Sequence, residues 1–171
     1  MMHSWLFALL LAEAAAPSPL QAFDFLAGKC WQGSFENGAV DTRCVRWMYE
    51  GSHLRDVHVV RGADGDYCGE TIYSVDGETA EVVFRYFNSL GGVGEGRMHS
   101  EGGVLVAPET YTGKDGRRRE FRSTLKPLAE DRYEALTQEQ VNGEWRTMMR
   151  IEFGRIDDAE AEAILRNACG A

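Results

Sequence analysis

Residues 23–35, Phe-Asp-Phe-Leu-Ala-Gly-Lys-Cys-Trp-Gln-Gly-Ser-Phe, join an apolar run to a strand-like segment through Gly28. Phe23, Phe25 and Leu26 precede the glycine, and Trp31 follows it at the start of what reads as a first strand. Glycine lets the chain bend where a side chain would clash. A tryptophan beside such a bend can bury a large apolar area while its indole N–H donates to a backbone carbonyl. The stretch is suited to sealing one end of a β-structure, with Gly28 and Trp31 as the closing residues.

Outward from it, the chain breaks into short segments of β periodicity separated by turn residues. Asn37-Gly38, Asp76-Gly77 and Asn142-Gly143 are hairpin signals. Strands are predicted over 30–35, 41–50, 53–61, 66–75, 80–88, 93–100, 104–112, 118–126, 132–137 and 144–153, with Pro127 ending the eighth. In 80–88, Val82, Phe84 and Tyr86 share one face and Val83, Arg85 and Phe87 the other. Gly94 and Gly96 alternate within a strand, which permits a bend or the close approach of a neighbouring backbone. About ten sequential strands with short turns must close or stack, because an open meander leaves bare edges. The expected fold is all-β: an antiparallel up-and-down barrel with a short C-terminal helix at 157–169. Asp157 and Glu160 have capping-box spacing, with Ile156 and Ala161 placed as a staple. Ala161, Ile164, Leu165 and Ala168 form one apolar stripe.

The segment LAGKCW, residues 26–31, resembles the Gly-x-Trp opening of lipocalin-like (calycin) barrels and of small secreted bacterial domains of that kind. It departs from the pattern in that both Lys29 and Cys30 separate the glycine from the tryptophan. The resemblance implies a single lipocalin-like barrel over 23–171, with the helix against its wall and a lumen for a small hydrophobic molecule. It also implies an arginine from the end of the barrel packed across Trp31, with Arg150 as first choice and Arg155 as second.

Residues 1–22 carry an apolar run, Trp5–Ala12, of signal-peptide length and small-residue cleavage options ending at Ala16 or Ala22. A cleaved signal, no stable membrane anchor and a periplasmic or secreted location are expected. The 4 cysteines, Cys30, Cys44, Cys68 and Cys169, are too far apart for a CxxC pattern, and an even, scattered set fits two structural disulfides in an oxidising compartment. Cys30 and Cys44 flank Asn37-Gly38. A three-residue turn centred on Asn37 sets them opposite one another, whereas a two-residue turn shifts the register. That leaves Cys68 with Cys169, and the resemblance supports it, since lipocalins often tie their C-terminal segment to the fourth strand. Cys30–Cys169 with Cys44–Cys68 is the alternative.

The net charge of -9 argues against a phosphate backbone as partner. No HExxH, GxSxG or P-loop is present, and no metal or cofactor is expected. Asp56 and His58 share a strand face and form a candidate acid–base pair. His53 points to the opposite face, and His99 has no partner assignable by spacing. Arg117-Arg118-Arg119 reads as a solvated corner, and only one of Met148 and Met149 can face a lumen. The lumen is the remaining site, with Trp47, Tyr49, Phe84, Tyr86 and Phe121 as aromatic candidates and Arg46, Arg85 or Arg150 as polar companions. The expected function is binding of a small hydrophobic or amphipathic ligand. A filled barrel serving as a structural or interaction module, with contacts at Gly91-Gly92, and a lumen-based isomerase or hydrolase are the alternatives.

Overall fold

Turn chemistry sets the register of the whole sheet in the computed structural model, which describes residues 18–169. Strands β1 (Lys29–Ser34) and β2 (Val40–Met48) meet through Glu36, Asn37 and Gly38, with Phe35 N–H donating to the Ala39 carbonyl at 2.8 Å. The turn is therefore centred on Asn37, and its side-chain oxygen accepts from Ala39 N–H at 3.1 Å. Cys30 falls opposite Cys44 in this register and is bonded to it. β3 (His53–Gly62), β4 (Gly65–Val75), β5 (Val82–Asn88), β6 (Val93–Glu101), β7 (Val104–Thr112), β8 (Arg118–Ala129), β9 (Arg132–Val141) and β10 (Glu144–Ile156) follow as antiparallel neighbours. Between β9 and β10 both Asn142 and Gly143 have positive φ, the mirror-image turn that matches strand twist. β10 returns to β1, with Cys30 opposite Ile156, and closes a ten-stranded barrel without free edges.

Strand boundaries differ from the sequence reading most in the last three strands, of which β10 runs to Ile156 and not to 153. Pro127 does not end β8: the strand continues to Ala129 through a bulge between Pro127 and Ala129. A bulge removes the need for the N–H that proline lacks. β9 likewise runs on to Val141, because its partner β10 offers pairing as far as Glu144. Between β6 and β7 the paired residues skip from Gly96–Glu109 to His99–Val106, across Pro108. The backbone oxygen of Pro108 lies so close to Gly96 that a β-carbon there would collide with it. This is the close backbone approach that alternating glycines permit.

One end of the barrel is plugged. A short 3-10 helix, Pro19–Phe23, is capped by Ser18 and buries Leu20 and Phe23. Together with Leu26 they pack on Trp31, Leu54, Tyr73, Tyr133 and Phe153. Gly28 has φ +73, the left-handed conformation the bend requires, and its N–H donates to Val45 O. Trp31 Nε1 donates to Leu26 O at 3.2 Å, its ring meets Tyr133 edge-on at 5.0 Å, and Tyr133 stacks on Phe153 at 4.9 Å. Among the described residues Lys29 lies over the Trp31 ring at 5.8 Å, while Arg150, the first choice for that place, pairs with Glu134, and Arg155 stands opposite Trp31 in the β1–β10 pairing. Packing of the barrel thus begins at Leu20, before Phe23. The apolar run and the Ala16 cleavage option lie outside the described residues.

The helix α1 (Asp158–Cys169) lies on the outer wall over β1–β4. Asp157 caps it, accepting from Glu160 N–H at 3.0 Å. Ala161 and Leu165 are buried with Val57, Val59, Cys30 and Cys44 in a second, smaller core. Cys169 is bonded to Cys68 on β4, and Arg46 reaches Asp158 and Glu162 at 3.1 and 3.0 Å. No helix of the described residues is long and apolar enough to cross a membrane.

Candidate functional site

Strand alternation sends a ring of polar side chains into the half of the barrel away from the plug. On β2 the face that carries Val45 also carries Arg43 and Asp41; on β3 it carries Asp56 and His58. Tyr67 from β4, Tyr86 from β5, Glu109 and Tyr111 from β7, and Phe121 and Ser123 from β8 complete the wall. They surround a cavity of about 510 Å³ that opens between Phe35, Leu90 and Arg119. A narrower extension of about 160 Å³ reaches down to Tyr73, Phe84 and Met98. The larger space lies in the range of small-ligand sites.

Absent side chains make room for those present. A β-carbon at Gly94 would collide with the Glu109 carboxylate, one at Gly92 with the Tyr111 hydroxyl, and one at Gly69 with both His58 and Tyr86. The inward-facing glycines are seats for the polar groups of neighbouring strands.

Arg43 is the hub of the floor. Its Nη2 lies 2.9 Å from Asp41 Oδ2 and its Nη1 3.3 Å from Asp56 Oδ2, and its guanidinium sits 4.8 Å above the Phe153 ring. The second oxygen of each aspartate, Oδ1, is buried without a hydrogen-bond partner among the described residues. Burial opposes ionisation of Asp41, but Arg43 and then His58 overcome it and lower the carboxyl to about 2. For Asp56 burial outweighs Arg43, and its pKa is raised. His58 Nδ1 is 3.4 Å from Asp41 Oδ2, and its Nε2 is 3.2 Å from the Tyr86 hydroxyl, which is hydrogen-bonded in turn to Tyr67. Burial raises both phenols, so at neutral pH both are proton donors.

Glu109 stands apart from this network. Among the described residues no cation pairs with it, and burial lifts its carboxyl from 4.5 to about 7. The folded state therefore holds this proton more tightly than the unfolded chain. Stability associated with it is present below pH 4.5 and is lost as pH rises through 7. The interval corresponds to about 3 kcal/mol. Glu109→Gln is expected to raise the stability of the unliganded protein by up to about 3 kcal/mol at pH 8 and to change it little at pH 4.5, as read by urea melts at the two pH values.

The structure brings some of the expected residues together and disperses others. Phe84, Tyr86, Phe121 and Met149 line the cavity, and Met148 is exposed on a bulge of β10. Trp47 shares the inward parity of β2 but lies near its plugged-end limit, 39% exposed, and Tyr49 beyond it is 73% exposed. All three arginines considered as lumen companions are outside: Arg46 under α1, Arg85 against Glu95 and Arg150 against Glu134. Asp56 and His58 do reach one cavity, yet the carboxylate beside the imidazole is Asp41, while Asp56 engages Arg43. His53 bonds Ser74 and His99 meets Glu101, both remote from His58.

Asp41, Arg43, Tyr67 and Glu109 are the residues that sequence reasoning passed over. Carrying the alternation of Val45 back by two and four positions, and that of Leu105 forward to Glu109, locates three of them. Among the described residues no group of three or more His, Cys, Asp or Glu side chains is placed to hold a metal ion. The closed ten-stranded barrel with its external helix fits a lipocalin-like architecture. No family model matches the chain, and no curated protein matches it.

Proposed function

We propose that the protein binds one small amphipathic molecule in the open half of a lipocalin-like barrel, in a periplasmic or secreted setting. The observation that carries this reading is the division of the barrel interior. Side chains fill one end, while the other keeps a cavity of about 510 Å³ with a polar floor and Phe35, Val60, Leu90 and Phe121 toward its mouth. A module serving only as a scaffold has no need to keep buried carboxylates around empty space, since unpaired buried charge is destabilising. The two disulfides support an oxidising compartment. A mature chain beginning after Ala16 keeps Leu20 in the plug, whereas one beginning after Ala22 loses it.

Native mass spectrometry of the protein from its own host tests this reading. A bound small molecule is expected, on a chain that starts at Pro17. Recovery of bare protein alone, with no added amphiphile retained, would sink the binding reading, and a chain starting at Phe23 would sink the assignment of the N-terminus.

A second reading rests on the line Asp41–His58–Tyr86–Tyr67, in which a carboxylate, an imidazole and two phenols converge on an open cavity. That arrangement supports proton transfer to and from a bound substrate, as a lumen isomerase or hydrolase would need. Conversion of the recovered ligand on incubation, abolished by His58→Gln, would favour it over simple binding.

A further inference from the structure

The charge of the cavity selects among amphipathic ligands. Its floor holds one arginine against three carboxyl groups, Arg43 against Asp41, Asp56 and Glu109, and the second arginine on its lining, Arg119 at the mouth, is paired with Glu139. Both terminal nitrogens of Arg43 are already taken by the aspartates, so it has little to offer an anion. Among the described residues the buried groups of this ion cluster left without a partner are one donor of the same arginine, Nε, and acceptors of both aspartates. Asp41 and Asp56 are 1% and 7% exposed, and each has an Oδ1 atom that is closed off and without a partner among the described residues. Glu109 projects into the same space with no cation beside it among the described residues. A buried acceptor without a donor is destabilising, and a ligand bearing donors relieves it. The wall adds the aromatic faces of Tyr86 and Tyr111, which attract cations, while the Phe121 ring already carries Arg119 at 5.0 Å. The ligand groups for a metal ion are not assembled among the described residues, so the cation must bring its own organic body.

We infer that the cavity takes an organic amine: a protonated ammonium group set against the Glu109 carboxyl, with an apolar body directed to the mouth. This rests on the ligand-binding reading above and narrows it to a chemical class. The acidic balance of the whole chain, net charge -9, also favours approach of a cation.

The test compares octylamine, octanol and octanoate by titration calorimetry against the intact protein at pH 7.5. These probes share one tail and differ in head group. Octylamine is expected to bind roughly tenfold to a hundredfold more tightly than octanol, the range of a hydrogen bond to a charged group, with octanoate weakest. Glu109→Gln is expected to bring octylamine to within a few-fold of octanol, with the larger loss falling on octylamine. Equal affinities for all three on the unaltered protein would overturn the amine inference and leave the binding reading standing. Preference for octanoate would overturn its sign. Binding of none of the three would remove this inference and the cavity reading together. The comparison on the unaltered protein holds even where the variant fails to fold.

Discussion

Replacing Arg43 by Met should remove about 3 to 5 kcal/mol of stability at pH 7, the usual consequence of leaving buried charge without its partner. The substitution keeps an unbranched chain over the Phe153 ring, so packing is largely preserved and the electrostatic loss is isolated. The loss should shrink in acid. Asp41 is held at about 2 chiefly by Arg43, against the opposing effect of burial. A carboxyl with a depressed pKa contributes stability that is present above its unfolded value of 3.8 and is lost as pH falls through 2. In the variant both aspartates protonate more readily, and near pH 3 the two proteins should differ by much less than at pH 7. Urea melts at pH 7 and pH 3 measure both quantities; a difference under about 1 kcal/mol at pH 7 would show that Arg43 does not neutralise the floor. Replacing Asp41, Arg43 and Asp56 together by apolar residues should recover much of the loss, since buried ion clusters are often no better than well-packed hydrocarbon. Such a result would assign the cluster to the site and not to the fold.

Trp31→Ala should cost about 3 to 5 kcal/mol, as for other large buried aromatics. The ring is 1% exposed, and it meets Tyr133, which leads on to Phe153 through stacked rings. Truncation opens a cavity at the plug, leaves Leu26 O without its indole donor, and loosens the seat of Leu20 and Phe23. A chemical melt is the measurement. A loss below about 1 kcal/mol would mean that the plug repacks without the ring and that closure of the barrel does not depend on it.

The strands were legible because each carries period-two patterning and ends in residues that favour a turn. Asn37-Gly38 even carried the disulfide register, once the turn was known to hold three residues. The lumen was less legible, for two physical reasons. Period two assigns a face but not a height along the barrel, so Trp47 and Tyr49 follow the pattern of Val45 and still end beside solvent. Charge also disguises an inward face. Asp41 and Arg43 look like solvent residues until each supplies the other's counter-charge. Arg46, Arg85 and Arg150 were open to either face, because apolar residues lie on both sides of their strands, and the burial of Val45, Phe84 and Ile151 is what sets the three arginines outside. Glu109 is harder. Its seat depends on Gly94 of the neighbouring strand, and pairing across strands is set by turns distant from both residues.

The two cross-links and the helix all brace one flank of the ring. Cys30–Cys44 joins β1 to β2, and Cys68–Cys169 pins α1 across the wall to β4. The opposite flank has no covalent tie among the described residues, and it contains the interruption in pairing at Pro108 between β6 and β7. Stiffness is thus unequally shared around the circumference. The braced flank holds Asp41, Arg43, Asp56 and His58 in fixed geometry, while Glu109 sits on the strand beside the seam. The ring of strands has its fewest ties there, and the acid closest to the interruption is the one with no counter-charge among the described residues.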